Sequence, residues 1–109
     1  MKHLVIKSHK PSFEYHLEIE KGDILRFERK PTATPGWIWC TTTEGKSCWV
    51  PQAWVKMKDK QCEIMQNYNS KELAIEIGEI IELAFIESGW AWVSNSINES
   101  GWIPIDCIE

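Results

Sequence analysis

Three histidines (His3, His9, His16), four cysteines (Cys40, Cys48, Cys62, Cys107) and seven tryptophans are the residues of this 109-residue chain with chemistry to offer. A cysteine nucleophile needs a base beside it and a third group to orient that base. Nothing in the spacing sets His9 or His16 next to Cys40 or Cys48, and both histidines read first as solvated residues of a polar loop. The cysteines form neither a C-x-x-C pair nor a zinc-finger spacing, so they read as buried free thiols of a reducing compartment. The sequence also lacks a phosphate-cradling glycine loop, an H-E-x-x-H motif and a paired-carboxylate motif. It therefore calls for no catalytic residue, no metal and no cofactor. What remains is the indole ring. Tryptophan offers a wide apolar face and one N–H donor, and serves to fill small cores or to pave binding surfaces.

The tryptophans sit in a repeat. Gly36-Trp-Ile-Trp39 returns as Gly89-Trp-Ala-Trp92, and Cys48-Trp-Val-Pro51 returns as Gly101-Trp-Ile-Pro104, both shifted by 53 residues. An earlier block, Glu18-Ile-Glu-Lys-Gly22-Asp-Ile-Leu25, returns as Ala74-Ile-Glu-Ile-Gly78-Glu-Ile-Ile81, shifted by 56. The three-residue difference falls at Lys30-Pro-Thr-Ala-Thr-Pro35, a stretch that reads as a surface loop, where insertions are tolerated. Each copy is a series of short apolar runs separated by turn residues, without helical periodicity. Ile24-Leu-Arg-Phe27 and Ile80-Ile-Glu-Leu83 read as strands entered from a glycine turn. Trp37–Thr41 and Trp90–Ser94 read as the first arms of hairpins, and Pro51 and Pro104 close the second arms. The charged stretch Lys56-Met-Lys-Asp-Lys60 reads as the linker. The expected domains are thus residues 1–57 and 60–109. Units of about 50 residues bury little surface alone, so the two are expected to pack closely together.

Charge divides the same way. Residues 1–56 hold nine Lys or Arg against six acids, whereas residues 57–109 hold three Lys against ten. Halves of opposite sign attract each other or read differently charged partners. The opening Met1-Lys2-His3-Leu4-Val5-Ile6-Lys7 is too short in apolar residues for a signal-peptide core, and no stretch approaches a membrane span. A cytoplasmic location and no membrane partner are expected.

The glycine–acid turn, the Gly-Trp strand and the apolar-apolar-Pro-x-x-aromatic ending, in that order and twice, resemble the Src-homology-3 (SH3) pattern in its variant, bacterial form. The resemblance implies an all-β chain of two tandem SH3-like, partly open barrels. It also implies a shallow aromatic groove on each, which in that family receives Pro-rich segments in the polyproline II conformation. Carried over by position, the first groove would hold Tyr15, His16, Trp37, Pro51 and Trp54. The second would hold Tyr68, Glu72, Trp90 and Pro104, with Cys107 where the first copy has Trp54. The family's opening aromatic segment corresponds to Val5-Ile-Lys-Ser-His9 and Ile64-Met-Gln-Asn-Tyr68, of which only Tyr68 is aromatic. Trp37 and Trp90 are expected at the wet rim, while Trp49 and Trp102 are expected to be structural. Trp39 and Trp92 fit either an extended aromatic surface or a cover for the barrel side.

The leading expectation is a non-catalytic interaction module binding an extended peptide, Pro-rich in the family. A purely structural role is the main alternative, with the aromatic surfaces consumed by packing between domains or subunits. Glycan or cell-wall binding would need export. Nucleic acid is disfavoured, because the acidic second half breaks any continuous phosphate path. A cage for a methylated cation is conceivable from Trp37 and Trp54. The oligomeric state is left open.

Overall fold

The computed structural model describes residues 1–12, 15–31 and 35–109. Short strands dominate it, as β-branched and aromatic runs closed by Gly, Pro and Asn turns require. In chain order they are β1 (Lys2–Leu4), β2 (Glu18–Ile19), β3 (Ile24–Glu28), β4 (Trp37–Thr41), β5 (Ser47–Pro51), β6 (Val55–Lys58), β7 (Gln61–Ile64), β8 (Tyr68–Asn69), β9 (Ile80–Glu87), β10 (Trp90–Ser94) and β11 (Ser100–Pro104). Single 3-10 turns at Gln52–Trp54 and Ile105–Cys107 follow Pro51 and Pro104. The architecture is all-β. Among the described residues no helix is long and apolar enough to cross a membrane.

The chain divides into two compact units, and neither is a consecutive half of the sequence. Unit 2 is the continuous stretch His16–Ser70, which interrupts unit 1 between Met1–Tyr15 and Lys71–Glu109. These compact units divide the chain after Tyr15 and after Ser70, whereas the sequence pattern predicts one boundary at 56–60. Those residues are no linker: β6 and β7 form a hairpin, with Val55 opposite Ile64 and Lys58 opposite Gln61. Asp59 turns it at a φ of 56°, a left-handed conformation that Asp tolerates better than most residues.

In unit 2 the strands run β5-β4-β3-β7-β6, with a separate β2-β8 pair. Ile19, Leu25, Ile38, Cys40, Cys48, Val50, Cys62 and Ile64 are buried as its core. In unit 1 the order is β1-β9-β10-β11, and isolated bridges join Val5 to Ile108, His9 to Ile75 and Glu72 to Trp102. Val5, Leu73, Ile75, Ile81, Ala91, Val93, Ile103, Cys107 and Ile108 form its core.

Backbone bonds show that residues 1–9 do in unit 1 what residues 60–68 do in unit 2. Val5 N donates to the Glu79 carbonyl (2.9 Å) as Ile64 N donates to that of Asp23 (3.0 Å). Gly78 N donates to Val5 (3.0 Å) as Gly22 N donates to Ile64 (2.9 Å). Both glycines hold φ at +96°, which explains why the repeat places glycine there. Ile6 N reaches the Cys107 carbonyl (2.7 Å) as Met65 N reaches that of Trp54 (2.8 Å). The segment that opens unit 1 therefore has its counterpart in the segment that closes unit 2.

Candidate binding site

Each unit's aromatic face follows from the pairing of its β-hairpin. In unit 2, β4 and β5 set Trp37 opposite Pro51, Trp39 opposite Trp49 and Thr41 opposite Ser47. Ile38, Cys40, Cys48 and Val50 alternate with them and are buried in the core. By the two-residue period, Trp37, Trp39, Trp49 and Pro51 share the other face of the sheet. Pro51 then starts the 3-10 turn that carries Trp54, held where Gln52 N donates to the Gly36 carbonyl (2.8 Å). Tyr68, on β8, meets Trp54 edge to face at 5.6 Å between ring centroids. Its hydroxyl donates to the Trp49 carbonyl at 2.7 Å. A second aromatic contact joins Trp39 and Trp49 at 5.1 Å, and the Lys30 ammonium lies 4.5 Å from the Trp39 ring centre.

In unit 1 the same register sets Trp90 opposite Pro104 and Trp92 opposite Trp102. Trp102 meets both Trp92 (5.4 Å) and Phe85 (5.5 Å), and is only 2% exposed. Its backbone is clasped by the chain entering the unit: Trp102 N donates to Lys71 (2.8 Å) and Leu73 N to Trp102 (3.0 Å). A Cβ at Gly101 would stand 2.8 Å from Leu73 N, so this crossing admits only glycine without a backbone shift. Around Trp90 the chemistry turns polar. His9 lies edge-on to it at 5.7 Å. The His9 Nε2 is 2.7 Å from Glu72 Oε1, which also accepts from the Ser12 hydroxyl (3.1 Å). Both members of the His9–Glu72 pair are largely shielded, at 14% and 13% side-chain exposure.

These positions revise the two grooves. Tyr68 lies on β8 of unit 2 beside Trp54, whereas Glu72 and Trp90 belong to unit 1. Tyr15 and His16 are both exposed, Tyr15 at the end of the first piece of unit 1 and His16 at the start of unit 2. Trp37, expected at the wet rim, is 9% exposed, and Pro51 is buried. Trp54, Trp90 and Pro104 are half-buried. Glu72 is engaged by its own chain through His9 and Ser12, two residues that sequence reasoning left out. The clue to His9 was its place opposite Tyr68 in the two opening segments.

The thiols offer no contrary chemistry. All four cysteines are unbridged and buried. Cys40 Sγ lies 3.8 Å from Cys62 Sγ. Burial pushes the Cys48 thiol up to about 12 and, with Cys62 beside it, pushes Cys40 up as well. Thiols held in the neutral form are poor nucleophiles. Among the described residues no cluster of His, Cys, Asp or Glu has the makings of a metal site.

Residues 2–57 match the family model of the variant SH3 domain. The chain belongs to that family. SH3-type domains are in general protein-interaction modules, a class that is typically non-catalytic. No curated protein and no solved structure matches the chain. Within this variant SH3 chain, unit 2 holds Trp37, Pro51, Trp54 and Tyr68. Unit 1 has His9 and Cys107 at the positions that correspond to Tyr68 and Trp54.

Proposed function

We propose that the chain is a non-catalytic adaptor of two SH3-like barrels that binds an extended, Pro-containing peptide on unit 2. The observation that carries this reading is the Trp54–Tyr68 contact beside Pro51. It restores to unit 2 the aromatic that a consecutive reading of the chain had assigned to the other barrel. A polyproline ridge loses little entropy on binding and leaves its carbonyls free, so a half-buried indole with an N–H at the edge is a fitting receptor. Free thiols suit action in a reducing, cytoplasmic setting. Affinity should be on the order of micromolar, as small shallow interfaces give. Titrating Pro-rich peptides while following tryptophan fluorescence tests this: a saturable change is expected, abolished by Trp54→Ala. A flat titration, or one that Trp54→Ala leaves unchanged, would sink it.

A structural role is favoured by a different observation, the low exposure of Trp37 (9%), Tyr68 (5%) and Trp102 (2%). On that reading the rings are core, and Trp37→Ala should cost about 3–5 kcal/mol of stability. The titration would then stay flat in the wild type.

A further inference from the structure

Unit 1 is the only compact unit of the described chain built from two separated pieces, and those pieces carry opposite charge. Residues 1–15 hold three Lys and one Glu, while residues 71–109 hold one Lys and eight acids. The contacts follow the charges. The Met1 ammonium meets Glu82 (3.0 Å), Lys7 meets Asp106 (3.2 Å), and His9 meets Glu72 (2.7 Å). Only the last pair is sheltered; the other two are exposed and worth little individually. Unit 2 makes the reverse choice. Its body, residues 16–60, holds eight Lys or Arg against six acids, and its closing segment 61–70 holds a single Glu63 and no cation.

The two closing segments make the same backbone bonds, so backbone alone does not tell them apart. Side chains do: Tyr68 needs the Trp49 carbonyl and the Trp54 ring, and His9 needs Glu72. Nothing in these contacts requires that the His9 segment come from the same molecule. It leaves unit 1 after Tyr15, and 55 residues of unit 2 intervene before Lys71 re-enters. A tethered segment competes only at the effective concentration its connection confers, about millimolar for short flexible tethers.

We propose that unit 1 is an acidic seat for the basic N-terminal strand, read through His9–Glu72, and that a second copy of this chain can fill it by reciprocal strand exchange. The partner is thus a second copy, and the interface is the β1–β9 pairing, the Val5–Ile108 and His9–Ile75 bridges and the His9–Glu72 contact. Exchanging an identical element between protomers is a low-cost route to a dimer, because every contact of the closed monomer is reused.

The test uses two full-length variants, His9→Glu and Glu72→His. Alone, each sets like groups against one another at the seat. In an exchanged heterodimer both seats regain one His and one Glu. The two chains, one isotopically labelled, are unfolded together, refolded and weighed by native mass spectrometry. The expected result is dimer with the mixed species above its statistical half. Mixed species at or below that share, or monomers throughout, would overturn the proposal. If the variants do not refold, labelled and unlabelled wild-type chains decide the matter. Mixed dimers that arise only after joint unfolding, and persist on dilution, support strand exchange. Monomer at every concentration, or dimers that mix without unfolding, refute it.

Discussion

Tyr68 and His9 occupy the same backbone seat in the two units, yet they meet different chemistry. In unit 2 the seat is aromatic, with Trp54 at 5.6 Å and a carbonyl for the phenol. In unit 1 it is ionisable, with Glu72 at 2.7 Å and Trp90 edge-on at 5.7 Å. One copy of the repeat sets two rings edge to face at this seat. The other has turned its equivalent position inward, to hold a strand of its own chain. The two seats thus differ in a single side chain and its partners while sharing one hydrogen-bonded frame.

Four changes would break or sharpen this contrast. The largest effect is expected for Ile64→Ala, which removes a fully buried side chain from unit 2. It should cost about 2–5 kcal/mol. Hydrogen exchange should then rise across His16–Ser70 and much less across unit 1; a uniform rise would mean that the units do not unfold separately. Next comes Gly101→Ala, which forces a methyl to within 2.8 Å of Leu73 N. Overpacking of this kind costs about 1–3 kcal/mol. The loss should appear in the thermal unfolding of unit 1, whereas Cys48, at the equivalent place in unit 2, accepts Ala far more readily. Tyr68→Phe should then cost about 1 kcal/mol by removing the bond to Trp49, read from denaturant midpoints. It should leave peptide affinity within twofold if the ring, not the hydroxyl, supports Trp54. The smallest effect is expected for Lys30→Ala, which strips the cation from the Trp39 face and should cost about 0.5–1 kcal/mol. A shift in indole emission would accompany it.

Much of the frame was legible in the residues. The Gly22 and Gly78 turns, the Trp-to-Pro hairpins and the equivalence of Val5-Ile-Lys-Ser-His9 with Ile64-Met-Gln-Asn-Tyr68 all follow from local pattern, and β-pairing within a hairpin is a local choice. The ownership of the opening strands was not legible, because it is a non-local choice between two seats with identical backbone demands. The charged stretch 56–60 concealed it further. Val55 and Met57 alternate with Lys56 and Lys58, a half-buried strand with an inner and an outer face, although the lysines give it the look of a linker. The same non-local step puts Tyr68 and Glu72 in different units and brings His9, 63 residues away in sequence, against Glu72.

The insertion of unit 2 into unit 1 also sets an order of events at birth. The segment Met1–Tyr15 is made well before its partners in Lys71–Glu109. At usual synthesis rates the 55 residues of His16–Ser70 occupy the interval for roughly 3–11 s. Unit 2 has all its strands by then, while Val5 still lacks Ile81 and Ile108, the core partners that cover it in the folded unit.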